Sequence, residues 1–193
     1  MTIEQLTYEA TELLKELISI ESFSGQEDKT ADAIEKFFSK HGVKTFRKGN
    51  NIIAKNKDFD SAKPIILLNS HHDTVKPNAC WTLNPFQPIV KDEKLFGLGS
   101  NDAGGALVSL IATFLYFNSQ KNIKYNFILA ATAEEENSGK NGVVSILSEL
   151  GKVDFAIVGE PTEMKMAVAE KGLMVVDCVA KGKAGHAARD VGE

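Results

Sequence analysis

Four strand-like apolar runs in this chain each stop at a residue able to bind a metal ion or carry a proton, and that repetition narrows the folds open to it. Pro64-Ile65-Ile66-Leu67-Leu68-Asn69-Ser70 ends at His71-His72-Asp73, and Asn126-Phe127-Ile128-Leu129-Ala130-Ala131-Thr132 ends at Glu134-Glu135-Glu136. Asp154-Phe155-Ala156-Ile157-Val158-Gly159 ends at Glu160, and the short run Leu95-Phe96-Gly97-Leu98-Gly99 leads into Asp102. In open α/β sheets, ligands bind in the crevice outside the carboxyl ends of the strands, so one sheet could bring all four ends to a single site. The pattern points to an enzyme with bound metal.

The segments between these runs read as helices. Leu6, Leu13, Leu14, Leu17 and Ile18 recur at helical spacing within residues 4–20. A second helix has Ser24 as its expected N-cap with Glu27 three residues on, an apolar stripe of Ala33, Ile34, Phe37 and Phe38, and Gly42 as its stop. Residues 43–46 and 51–54 flank Lys48-Gly49-Asn50 as a hairpin, and a smaller hairpin lies within 81–99. A buried helix over 103–117 and another over 140–149 then alternate with strands 64–70, 125–132 and 153–159. The expected fold is therefore α/β, with a mixed, centrally parallel sheet covered by helices on both faces. After Glu160-Pro161-Thr162 the texture changes, and Met164 to Ala169 and Leu173 to Ala180 read as two new strands. The chain divides on this reading into 1–168, a catalytic metal-binding domain, and 169–193, the beginning of a further α+β domain.

Charge and composition exclude several partners. A net charge of -4, with Arg47 and Arg189 as the sole arginines, leaves no basic stripe for nucleic acid. No apolar run approaches the ~20 residues that cross a bilayer, and Glu4, Glu9 and Glu12 stand where a signal peptide would carry positive charge, so a cytoplasmic protein with no membrane partner is expected. Cys80 and Cys178 lack CxxC spacing and are expected to be free thiols.

Each candidate residue has a plainer reading beside the chemical one. In an extended segment His71 and Asp73 point to one side and His72 to the other, so one imidazole could bind metal while Asp73 orients it. An isolated H-x-D is more often a polar turn, and His72 is assigned that role. The glycine-rich stretch Gly97 to Gly105 would be a poor phosphate loop, because a dinucleotide fingerprint wants glycine where Asp102 stands. The Asp102 carboxylate suits a cation and could bridge two metals ~3.5–4 Å apart; it could also merely cap the helix over 103–117, and the two roles are compatible. Three successive glutamates could be a solvated loop, yet after a buried strand one could bind metal while its neighbour serves as general base. Glu160, held between Gly159 and Pro161, is either a ligand or a turn residue.

Taken together, Ser70-His71-His72-Asp73-Thr74-Val75, the loop ending at Asp102, Ala133-Glu134-Glu135-Glu136-Asn137-Ser138-Gly139, Val158-Gly159-Glu160-Pro161-Thr162 and Gly185-His186 resemble the ordered motifs of the M20 family of zinc amidohydrolases. Within it, Gly99-Ser100-Asn101-Asp102-Ala103-Gly104 and Gly185-His186-Ala187-Ala188-Arg189 are most similar to the branch that deacetylates acetylornithine or acetylcitrulline. The resemblance implies two Zn2+ ions, with Co2+ or Mn2+ as substitutes. It makes His71 and Glu160 ligands of one metal, Asp102 the bridge, Glu136 a ligand of the second and Glu135 the general base, with Asp73 behind His71. It also implies a cis peptide after Asp102, and a lid domain whose His186 steadies the oxyanion in the partner subunit of a homodimer. The implied reaction is hydrolysis of a small N-acyl amino acid, foremost N-acetylornithine in arginine biosynthesis. Succinyl-diaminopimelate desuccinylase and dipeptidase are the alternatives within the family.

Two departures stand out. Many relatives carry lysine in the loop after the bridging aspartate, where this chain has Gly104. The family's second zinc takes a last histidine from far downstream, beyond Glu193, so the second metal has only Asp102 and Glu136 here. The N-terminal portion of such an enzyme is expected, with an inactive fragment as the rival reading and with exposed sheet edges that favour association.

Overall fold

The computed structural model describes residues 1–169, 171, 172, 174, 176–179 and 181. It divides into two compact units, Met1–Pro161 and Thr162–Glu193. The first opens with helix α1 (Ile3–Ile18), whose Thr2 hydroxyl accepts from the Gln5 amide and so closes one of the free N–H groups of the first turn. Leu6, Ala10, Leu13, Leu14, Leu17 and Ile18 form its buried stripe. Helix α2 (Asp28–Lys40) buries Ala31, Ala33, Ile34, Phe37 and Phe38 in the same way. Its start differs from the expected capping box: Glu27 precedes the first turn without a side-chain cap bond, and Ser24 lies too far upstream to cap it. Both residues are drawn into the site described below.

Strands β1 (Thr45–Lys48) and β2 (Asn51–Lys55) form the expected hairpin, one to two residues later at its outer end. Strand β3 (Ile65–His71) precedes the small hairpin β4 (Ile89–Lys91) and β5 (Lys94–Phe96). An irregular turn, Ser100–Gly104, in which Asp102 and Ala103 leave the helical region, leads into α3 (Gly105–Asn118). Then come β6 (Asn126–Thr132), α4 (Val143–Leu150) and β7 (Phe155–Val158). The five main strands lie in the order β1-β2-β6-β3-β7. β2 runs antiparallel to β6, while β3 is parallel to both β6 and β7, so the centre of the mixed sheet is parallel as its apolar runs imply.

Alternation along the strands feeds two cores. Leu68 and Leu129 face a cluster with Leu13, Ile34, Phe38, Leu107, Ile111 and Phe114 from the three helices α1, α2 and α3. Their neighbours Leu67 and Ile128 face Ile53, Ile146 and Leu150 on the side of α4. All seven residues of β6 are buried, which is why its sequence shows a continuous apolar run rather than an alternation. At the sheet edge, by contrast, all four residues of β7 are exposed. In the second unit, Met164–Ala169 form no strand, contrary to expectation, and the partner expected at 173–180 lies partly outside the described residues. Among the described residues, no helix is long and apolar enough to cross a membrane.

Phe114 meets Phe38 edge to face at 5.8 Å between ring centres, and both are fully buried. Phe114→Ala should therefore cost about 3–5 kcal/mol through lost burial and an unfilled cavity, read as a lower midpoint in equilibrium urea unfolding.

Candidate metal centre

The parallel register assembles the site. His71 pairs with Thr132 and Asn69 with Val158, so the carboxyl ends of β3, β6 and β7 lie side by side and release their loops at one edge. His71 is fully enclosed at the end of β3; its Nδ1–H donates to the Asp73 carbonyl oxygen (3.0 Å), with Asp73 Oδ1 at 3.3 Å. That fixes the ring and leaves Nε2 facing the acids. Nε2 lies 3.1 Å from Asp102 Oδ1, 3.7 Å from Glu135 Oε2 and 3.7 Å from Glu160 Oε2. Glu136 joins them, because one ligand atom from each of His71, Asp102 and Glu136 falls within 4.8 Å of the others.

Asp73 also positions the glutamates. Its buried carboxylate accepts from the Ser24 hydroxyl (2.7 Å), the Glu135 amide (3.1 Å) and the Glu136 amide (3.1 Å). The three successive glutamates thereby separate. Glu134, in the left-handed region (φ 52), turns its carboxylate back to accept from the Asn141 backbone and side-chain amides (3.0 and 2.8 Å). The next two reach the site. Asn51, fully buried, steadies the approach by accepting from the Ala133 amide (3.0 Å) while its own amide donates to the Asn141 carbonyl (2.6 Å).

Asp102 comes from the irregular turn Ser100–Gly104 rather than from a helix cap. Gly99 takes φ 75, the Gly104 amide donates back to the Gly99 carbonyl (2.8 Å), and the Asp102–Ala103 peptide is cis, as the family resemblance implies. Helix α3 begins only at Gly105 and has no side-chain cap, so Asp102 does not cap it. Nor does a lysine fit at position 104. A Cβ there would stand 2.6 Å from the Gly99 carbonyl oxygen and 2.7 Å from Leu14 Cδ1.

His72 is buried away from this cluster. Its Nε2–H donates to the Asn50 carbonyl (2.9 Å), and the Thr30 hydroxyl meets Nδ1 (2.8 Å). The ring is thus a satisfied core group rather than a surface turn residue, and burial holds its pKa below the ordinary value. His186, expected in the lid, lies outside the described residues. Ser24, Glu27, Thr30 and Asn51 were not among the expected site residues. The Ser24 to Glu27 spacing was the visible signal, and it reads equally well as a helix cap.

The electrostatics fit a cation. Among the described residues, no lysine or arginine lies within 4.0 Å of Asp102, Glu135, Glu136 or Glu160, and the enclosed His71 ring lies 3.1–3.7 Å from Asp102, Glu135 and Glu160. Burial first, and then neighbouring carboxylates, push Glu135 and Glu136 above the ordinary glutamate range, with His71 partly opposing. Burial works against protonation of His71, but Asp73 and Glu160 outweigh it and drive its pKa upward. One imidazole nitrogen among carboxylate oxygens is a donor set suited to divalent metal ions. His71, Asp102, Glu136 and Glu160 are the residues that could hold such ions, with Glu135 beside them.

A mixed α/β domain with an acid-rich, histidine-anchored site at the strand ends is thus the class that fold and geometry define. The chain belongs to peptidase family M20/M25/M40, whose pattern matches residues 67–179. It is similar to a probable succinyl-diaminopimelate desuccinylase of Staphylococcus aureus, 30% identical over 92% of this chain and 45% of that protein. It is also similar to an acetylornithine deacetylase of Buchnera aphidicola, 36% identical over 66% of this chain and 34% of that one. Among solved structures, a dinuclear metal-binding M20 peptidase of Bacillus subtilis shares the fold with TM-score 0.62, at 15% identity over 81% of this chain and 43% of that chain. The chain spans less than half the length of these relatives.

Two outcomes are expected from Asp73 and His72. Asp73→Asn keeps one acceptor oxygen and sets its N–H₂ against either the Glu135 or the Glu136 amide, and should lower the affinity for added Zn2+ about 10–100-fold by calorimetric titration. Stability should also fall in acid. His72 has a folded pKa below 6.5, so stability declines as pH drops below that value, because the unfolded chain takes the proton first. Asp73 is held down to about 2, opposed by burial but favoured by His71, Ser24 and the two amides; its contribution is complete above 3.8 and is lost as pH falls toward 2. Urea unfolding of the metal-free protein at pH 7, 5 and 2.5 should show both steps, with the lower one absent in Asp73→Asn.

Proposed function

We propose that this chain carries the catalytic site of a metal-dependent amidohydrolase that removes the acyl group from an N-acyl amino acid. The convergence of His71, Asp102 and Glu136 within 4.8 Å, with Glu135 beside them, carries the reading. His71, Asp102, Glu136 and Glu160 would hold up to two ions, zinc by donor type, and these would supply Lewis acidity at the scissile carbonyl.

Glu135 Oε2 is the proton carrier. It is half exposed, so water reaches it, and its raised pKa brings it closer to neutrality, where a base both takes and returns a proton. It accepts the proton of the attacking water and delivers it to the amide nitrogen as the C–N bond breaks, giving a carboxylic acid and a free amine. Asp73 keeps Glu135 in place through its backbone amide, leaving the side chain free to move the proton. His186 as an oxyanion donor from a second subunit, and the homodimer that this needs, belong to the same proposal on the family resemblance alone.

N-acetylornithine is the first substrate proposed, on the motif resemblance and the similarity to an acetylornithine deacetylase. A second reading, N-succinyl-diaminopimelate, is favoured by the similarity to a desuccinylase, which extends over 92% of the chain. Both join an acyl group to an amino-acid nitrogen, so the site chemistry is common to them.

Glu135→Gln should keep its bound metal and lose about 10²–10⁴-fold in turnover. Full turnover in that variant would remove Glu135 as the base. Release of free amine from N-acetylornithine, N-succinyl-diaminopimelate and a dipeptide, compared side by side, separates the substrates. Absence of release from all three despite bound metal would leave the chain an inactive fragment.

A further inference from the structure

Beneath the glutamate loop lies a second buried carboxylate that the proposed reaction does not use. Glu27 is fully enclosed, and its oxygens meet only donors. One oxygen accepts from the Gly25 amide (2.5 Å) and the Glu134 amide (3.2 Å), the other from the Asn50 side-chain amide (2.9 Å). Among the described residues, no cation lies within 4.0 Å of it. A carboxylate buried without a cation is costly, and is tolerated where hydrogen bonds satisfy its oxygens.

Those three bonds join separate parts of the fold. Gly25 leads into α2, Asn50 closes the β1–β2 turn, and Glu134 begins the loop after β6. The same group of residues also holds the end of β3. The Asn50 carbonyl accepts from His72, and Thr30 lies between the Glu27 carbonyl (3.0 Å) and the His72 ring (2.8 Å). Glu27 therefore touches both arms of the site, the loop directly and the residue after His71 through its neighbours. It also completes a series. Three successive amides, of Glu134, Glu135 and Glu136, end on buried carboxylate oxygens, the first on Glu27 and the next two on Asp73.

We infer that Glu27 is a positioning residue of the metal centre: by holding the Glu134 amide it fixes the start of the loop, so that the following amides meet Asp73 and the Glu135 and Glu136 carboxylates face His71. The inference rests on the reading of Glu135 and Glu136 as base and ligand. A helix-capping role does not account for Glu27, because it makes no side-chain cap bond to α2.

The test compares wild type with Glu27→Gln and Asn50→Ala. Glu27→Gln keeps the shape but has one acceptor oxygen where the acid has two, so its N–H₂ is set against either the Asn50 side-chain amide or the Gly25 and Glu134 amides, while Asn50→Ala removes one donor and leaves the acid. In the metal-free proteins, amide hydrogen exchange should quicken at residues 134–139 and remain unchanged in α1 and α3. Titration with Co2+ should show about 10–100-fold weaker binding and an altered visible spectrum in Glu27→Gln, with a smaller effect in Asn50→Ala. Should Glu27→Gln not fold, Asn50→Ala carries the same comparison. Wild-type exchange at 134–139 together with wild-type cobalt binding overturns the role of Glu27 and leaves the metal centre intact. Exchange that quickens evenly over the whole chain also overturns it, since that is loss of stability alone. A wild-type protein that takes up no Co2+ overturns the metal reading itself, and the inference with it.

Discussion

The carboxylate of Asp73 is the junction on which the site depends. Four donors from three parts of the chain end on it or beside it: the His71 ring, the Ser24 hydroxyl, and the amides of Glu135 and Glu136. A carboxylate deprived of water needs such partners, and the partners equally need it, because an amide buried without an acceptor is expensive. The bargain is mutual, and it links the end of β3 to the loop after β6. Without that link His71 would lack its orienting group, and the two glutamates would hang on an unsupported backbone.

The sheet and the acids divide the labour of building the site. The parallel register of β6, β3 and β7 brings three chain ends to one edge with the coarse precision of strand pairing. Finer placement comes from polar groups on loops: Asp73 for two glutamates, Asn51 for Ala133, and the Gly99 to Gly104 turn for Asp102. Rigid elements supply location and buried hydrogen bonds supply orientation, a division that lets the loops differ in sequence while the scaffold stays constant.

Much of this was legible from residue types. Pro64–Ser70 and Asn126–Thr132 could be recognised as buried strands because burial on both faces leaves an uninterrupted apolar run, and His71, Asp102, Glu135, Glu136 and Glu160 were visible as polar residues at the strand ends. The roles of Glu27 and Ser24 were not, because their spacing fits a capping box and only the tertiary fold diverts them. His72 illustrates the same limit: nothing local distinguishes a polar turn from a ring enclosed by Thr30 and the Asn50 carbonyl. Likewise the three glutamates are identical in sequence, and only the left-handed backbone at Glu134 separates the first from the other two. Strand pairing for Met164–Ala169 failed for a related reason, since apolar residues show β character but not whether a neighbouring strand is present.

The pairing of His71 with Thr132 has one more implication. Because strand side chains alternate, a one-residue slip of β6 against β3 would turn the apolar residues of both cores to the wrong faces and carry Glu135 and Glu136 away from the imidazole. An ion gripped by residues from both strands would bind only the correct alignment, so its binding energy would add to the stability of that alignment alone. The metal centre would then act as a gauge of sheet register as well as a place for chemistry.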